Sequence, residues 1–334
     1  MKLASWGVGR ENLFGFPFLT SYNKQMANTS TTSSGRGTHK SEIKSWWVPL
    51  FAGAAVVIFA ASGWGWWHFV RSDPERTFYA ALANSLRTSG VTRHVKQSSS
   101  GQKLEQQVGV TTGPQHVAHG LTTISQEGDI TAQIKTEAIS SPKQDYVRYT
   151  QIETTQKGQN GQALDFSKLV NIWGKTTSSE ATQAGELYNE SILGVVPVGN
   201  ISGPARKSIM DFVHEKRVYS LDDKKIKRQI ENGRPVYTYE VVVAPEAYIG
   251  MLKLFGKAIG LKQLETVDPT SYKDSQPLTF QLKIDVWSRQ LTGVIFAGGE
   301  RTEQLSGYGI SRQIALPKDS ISLEELQTRL QAVQ

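Results

Sequence analysis

Leu278-Thr279-Phe280-Gln281-Leu282-Lys283-Ile284-Asp285-Val286 alternates apolar and polar residues without a break. Successive side chains of a strand point to opposite faces, so this stretch reads as a strand with one buried face and one wetted face. That pattern belongs to antiparallel sheets, because parallel strands are usually buried on both sides. Just upstream, 226–230 and 236–243 flank Glu231-Asn232-Gly233-Arg234, and Asn-Gly favours a tight hairpin. Downstream, strands are expected over 291–297, 301–308 and 310–316. Pro317 ends the last, and a helix follows over 320–330 with Ser322 and Glu325 in capping-box positions.

The same grammar extends toward the N-terminus. Leu104, Val108 and Val110 share one parity, as do Ile130, Ala132, Ile134 and Ala138. Breaks at 98–101, 113–114, 126–129 and 140–143 are spaced for antiparallel hairpins. Before them, Asp73-Pro74-Glu75 reads as a helix start, with a cap, a proline in the first turn and an acid near the positive end. Phe78, Leu82, Ser85 and Leu86 give that helix its packing face, and Gly90 stops it. Between 158 and 218 the signals are sparse. A short helix is expected over 166–173 and another over 205–216, opened by Gly203-Pro204.

One further helix, over 245–261, is apolar around well over half its circumference. Ile249, Leu252, Phe255 and Ile259 form one stripe, while Tyr248, Met251, Leu254, Ala258 and Leu261 fill much of the rest. A helix covering one sheet face needs only a narrower stripe. Deep burial between sheet and loops accounts for the pattern; so does a helix lining an apolar cavity, where Met and Phe adapt to a lipid-like ligand.

From Trp46 to Val70 there is no formal charge. As a helix this stretch crosses a hydrocarbon core of about 30 Å with length to spare. Trp46 and Trp47 at one end and Trp64, Trp66 and Trp67 at the other form an aromatic belt. The expectation is an uncleaved signal anchor, with the N-terminus cytoplasmic and the larger C-terminal part outside. The tail 28–40 is too polar to fold. Residues 1–25 carry Trp6, Phe14, Phe16, Phe18 and Tyr22, and read either as an interfacial segment or as untranslated sequence before a start at Met26.

Composition removes several function classes. The 334-residue chain has no cysteine, so disulfides, thiolate metal sites and a lipobox anchor are excluded. The net charge is +7, of which residues 1–70 supply +4. The nearly balanced remainder is not the basic surface of a nucleic-acid binder. His116 and His119 are three apart, which in a strand sends them to opposite faces, and no metal set or cofactor motif is read. Gly174-Lys175-Thr176 lacks the first P-loop glycine, since position 169 is Leu. In Ser140-Ser141-Pro142-Lys143 the proline blocks the helix that would align a Ser–Lys pair. The run Lys224-Lys225-Ile226-Lys227-Arg228 is a solvated strand edge that discourages pairing, or a contact for anionic lipid or wall polymer.

The run Val236-Tyr237-Thr238-Tyr239-Glu240-Val241-Val242-Val243 leads into the helix at Pro245. The chain closes with Gly307-Tyr308-Gly309, Ile314, Leu316-Pro317, Ser322 and Glu325-Leu326. In this order of elements, over 74–332, the chain resembles the LolA/LppX superfamily of exported lipoprotein carriers and lipid-binding lipoproteins. The resemblance implies a half-barrel holding acyl chains under helices, without catalysis. The chain departs from the family's cleavable signal, often with a lipobox cysteine, and a permanent anchor favours a tethered binder over a shuttle.

The expected fold class is therefore α+β: a mostly antiparallel half-barrel with covering helices, preceded by one transmembrane helix. Residues 1–45 form the tail, 46–70 the anchor and 71–334 an extracytoplasmic domain. The expected function is binding of a hydrophobic ligand, a lipid or lipoprotein acyl chain, by a single-pass protein of the cell envelope that is not an enzyme. The expected wall is Ile249, Leu252, Phe255 and Ile259, with Tyr237 and Tyr239 from the sheet. The alternatives are an envelope-sensing or protein-interaction module with an envelope protein partner, and a structural or adhesive surface domain with a filled core.

Overall fold

The computed structural model describes residues 16–17, 73–113, 115–158, 161–176 and 185–333. The expected anchor over 46–70, the polar tail over 28–40 and the start at Met26 lie outside them. Among the described residues no helix is long and apolar enough to cross a membrane.

Helix α1 (Pro74–Ser85) begins where the sequence places it: Asp73 Oδ1 accepts from the Arg76 amide at 2.6 Å, and Phe78, Ala81 and Leu82 are buried. A meander follows, formed by β1 (Gly90–Ser99), β2 (Gln102–Thr112), β3 (His116–Gln126), β4 (Ala132–Ser141) and β5 (Gln144–Thr154). The expected breaks are its turns, although Ile130 lies in the turn before β4 and is exposed. After the two-residue β6 (Gly174–Lys175) come α2 (Glu186–Ile192), β7 (Leu193–Val198) and α3 (Gly203–Glu215). A second meander comprises β8 (Tyr219–Leu221), β9 (Lys227–Glu231), β10 (Arg234–Val243), β11 (Leu278–Asp285), β12 (Gln290–Phe296) and β13 (Arg301–Ser306). It is interrupted by α4 (Pro245–Ile259) and the short α5 (Lys262–Glu265), and the chain closes with β14 (Ile321–Ser322) and α6 (Leu323–Gln331).

These strands make one open, mostly antiparallel sheet in the order β9-β10-β11-β12-β13-β1-β2-β3-β4-β5-β6-β14, with β8 beside β9 on the edge of β10. Only the short β14–β6 pair in it is parallel. The two meanders join where β13 pairs antiparallel with β1. The turn between β9 and β10 carries Asn232 at φ 50° and Gly233 at φ 75°, the left-handed pair that a two-residue hairpin requires.

The main core lies on one face of the sheet, between its strands and α1, α2, α3, α4 and β7. Strand β7 is outside the large sheet, and its carbonyls find other donors: Tyr219 Oη donates to Val195 O at 2.7 Å and Tyr248 Oη to Gly194 O at 2.6 Å. The backbone of Phe16–Pro17 pairs in parallel with β7. A satellite cluster of Phe166, Leu169 and Leu326 packs on Val147, Tyr149 and Ile152 of β5.

Two expected elements are corrected. Residues 166–173 form a turn rather than a helix, with the Leu169 amide donating to Phe166 O, and both side chains enter the satellite cluster. Residues 310–316 are not a strand. Gly307 and Gly309, both at positive φ, turn the chain across the end of the sheet, where Thr111 Oγ1 and Gln115 Oε1 bond its backbone in place of a ladder. Helix α2 and strand β7 were not expected.

Candidate functional site

The six residues expected to form a wall come together. Tyr239, Phe255 and Leu252 are 0 to 1% exposed, Ile249 and Tyr237 are buried, and Ile259 packs half-buried against the same cluster. Helix α4 forms because Pro245 opens it and Gly260, at φ 75°, ends it, and it buries Ile249, Leu252 and Phe255 on one side. The Tyr239 ring lies 5.4 Å from Phe78 and 5.9 Å from Tyr237, and its hydroxyl donates to Pro74 O at 2.8 Å. Burial pushes the Tyr239 and Tyr248 hydroxyls well above the ordinary tyrosine range. These side chains fill the space between helix and sheet.

Where β13 meets β1, the core holds charge. Arg93 Nη2 contacts Glu303 Oε2 at 2.6 Å, and the two side chains are 5% and 3% exposed. Arg301 Nη2 and Nε reach Glu303 Oε1 at 2.8 and 3.1 Å, and Arg93 Nη1 donates to Glu190 O at 2.7 Å. Burial opposes the charge on Glu303, but the two guanidiniums hold its carboxyl below the usual range. Two pockets flank Arg93, one beside Gln106 and Glu190 and one beside Val196 and Leu291. Each has roughly the room for one water molecule.

On the same helix-covered face, strand register assembles a row the sequence does not announce. Leu104 lies directly opposite Ile124, Ile124 opposite Ile134, and Ile134 opposite Ile152. All four are half-buried. Toward β13 the row continues through Gln97 to Arg301. One step along the strands lies a mixed row of Gln106, Thr122, Thr136 and Tyr149, and burial raises the Tyr149 hydroxyl. A further step reaches Val108, Gly120 and Ala138, where α2 packs: a Cβ on Gly120 would stand 3.1 Å from Leu187 Cδ2. The Phe166–Leu326 cluster closes the β5 side. The result is an apolar row with a mixed row beside it and Arg301 at one end. The parity of Leu104 and of Ile134 is visible in the sequence, but that they line up across strands depends on the turns.

The remaining titratable groups have structural partners. Ser140 Oγ donates to Asp145, whose other carboxylate oxygen accepts the Gly185 amide at 2.8 Å and so fixes the start of α2. Burial raises the Asp145 carboxyl, and these bonds oppose the rise. His119 and Arg148 both contact Glu137, at 2.8 and 2.5 Å, while His116 lies on the opposite face of β3. Among the described residues no group of three or more His, Asp or Glu is placed to hold a metal ion.

The fold and this row define a class in outline: an open, mostly antiparallel sheet with one helix-covered face on which part of the apolar surface stays half-buried. No family profile matches the chain, and no curated protein does. Among solved structures, the crystal structure of LprF from Mycobacterium bovis is similar, with a TM-score of 0.38 and 12% identity over 74% of this chain and 98% of that chain. At that identity and score the likeness extends neither to residues nor to a ligand.

Proposed function

We propose that this chain is a non-catalytic binder of a hydrophobic ligand, a lipid or lipoprotein acyl chain, built as a half-barrel and tethered to the cell membrane by residues 46–70. The observation that carries the reading is the row Leu104–Ile124–Ile134–Ile152, four directly opposed apolar residues on the helix-covered face that stay half-buried. Strands lie about 4.8 Å apart, so the four residues span roughly 14 Å, and the row to Arg301 roughly 24 Å. An acyl chain laid along it gains about 0.8 kcal/mol per methylene removed from water, and the polar end of an amphiphile meets Arg301. The wall of Tyr237, Tyr239, Ile249, Leu252, Phe255 and Ile259 belongs to the same reading as a deeper site, which a chain enters only if α4 lifts from the sheet.

Photocrosslinking tests this. The full chain in membranes is exposed to a palmitate analogue carrying a terminal diazirine, and the labelled peptides are mapped. The reading predicts label on β2 to β5, lost in Ile134→Glu with the thermal transition retained. Label on α4 and β10 assigns the deeper site. Label confined to 46–70 contradicts ligand binding by the folded part.

A further inference from the structure

Two hairpin turns lie side by side at one end of the sheet, and helix α1 runs to the second of them. The turns are those joining β9 to β10 and β11 to β12. Pro235 links them: Ile230 is its partner across the first hairpin, and its carbonyl accepts the amide of Val286, next to Trp287, at 2.9 Å. Ile230 is 67% exposed and Trp287 45% exposed. The Tyr239 hydroxyl, midway along β10, holds Pro74 O at the start of α1, and the other end of that helix reaches the second turn, where Asn84 Nδ2 donates to Arg289 O at 2.7 Å.

The corner is basic. Residues 222–234 hold five Lys or Arg against Asp222, Asp223 and Glu231, a net +2. Glu231 is bound by Lys283 at 2.6 Å, Lys225 by Glu240 at 2.5 Å, and Arg234 by Asp285 at 2.9 Å, with the Arg234 guanidinium also 5.8 Å from the Trp287 ring. Lys224, Lys227 and Arg228 are exposed and have no acidic partner among the described residues; Arg228 sits only over the Tyr237 ring, at 6.0 Å. Strand β9 is also a sheet edge.

We propose that this corner docks on the surface of an anionic bilayer. Ile230 and Trp287 enter the headgroup boundary, where indole is favoured, and Lys224, Lys227 and Arg228 meet acidic headgroups. The inference rests on the membrane anchor in the reading above, which supplies the geometry. Only two residues, Arg71 and Ser72, separate Val70, the end of the apolar stretch, from the cap residue Asp73. Over those three steps, at no more than about 3.6 Å each, Asp73 is held within roughly 11 Å of that end. An exposed Trp and Ile flanked by cations that have no acidic partner among the described residues match this partner in both apolarity and charge.

The absence of cysteine makes a single introduced thiol a clean reporter. The full-length Ile230→Cys chain, nitroxide-labelled, is placed in nanodiscs of phosphatidylcholine with or without phosphatidylglycerol. Accessibility to oxygen and to a water-soluble nickel complex is then compared with that of an Ile130→Cys label, at the opposite end of the strands. In anionic discs the label at 230 should favour oxygen and lose nickel contact, while the label at 130 stays in water. Removing Lys227 and Arg228 together, as Lys227→Gln/Arg228→Gln, should lower the docked-to-undocked ratio about fivefold per charge at low salt. A label at 230 as accessible to nickel as that at 130 in both discs, with the chain resisting alkaline carbonate extraction, overturns the docking alone. Release of the chain by carbonate overturns the anchor and the docking together.

Discussion

Glu303 and Arg93 are 210 residues apart in sequence and meet only because β13 docks on β1. Neither stands out in the sequence, where each is one polar residue in an alternating strand, so this part of the site was illegible before the register was known. Removing one partner of a buried pair leaves the other charge without compensation. Glu303→Gln should therefore cost about 3 kcal/mol in urea unfolding at pH 7. The sign with pH follows from the lowered carboxyl. Its contribution to stability is complete above the ordinary glutamate value of about 4.3 and is lost as pH falls through the lower folded value. The difference between wild type and Glu303→Gln should accordingly be constant from pH 7 to about 5 and shrink below about 4. A difference that grows on acidification would contradict the assignment.

At the scale of elements, alternation and turn residues made most of the sheet legible. The strand at 278–285, the Asn232-Gly233 hairpin, the first meander and the caps of α1 and α6 all lie where periodicity and capping chemistry put them. What failed was the segment whose structure depends on distant partners. Helix α2 has seven residues and starts at Gly185 without a side-chain cap of its own; Asp145 supplies that bond from β5. Strand β7 is a short apolar run, which periodicity alone assigns to neither helix nor strand. Phe166 and Leu169 have helical spacing because both reach Leu326, not because a helix carries them. Two predictions belong here. Gly120→Val drives a branched side chain into Leu187, so it should destabilise by about 1–3 kcal/mol and loosen α2, read by hydrogen exchange over 186–192. Phe255→Ala removes a fully buried ring from α4 and should cost about 3–5 kcal/mol in chemical denaturation. A cost below 1 kcal/mol would mean that α4 is not packed as described.

For the whole molecule, the two proposed surfaces lie at opposite ends of the strands. The basic corner is at the start of β10, whereas Leu104, Ile124 and Ile134 lie toward the other end, near Arg301. A strand of about ten residues spans roughly 34 Å, so a docked corner would hold the apolar row away from the lipid surface. The measurement that bears most directly on the account is native mass spectrometry of the full chain purified from cells, followed by solvent extraction. The account predicts a co-purifying species of lipid mass, retained in Lys227→Gln/Arg228→Gln and lost in a folded Ile134→Glu. A ligand-free mass that takes up nothing from added lipid extract would contradict it.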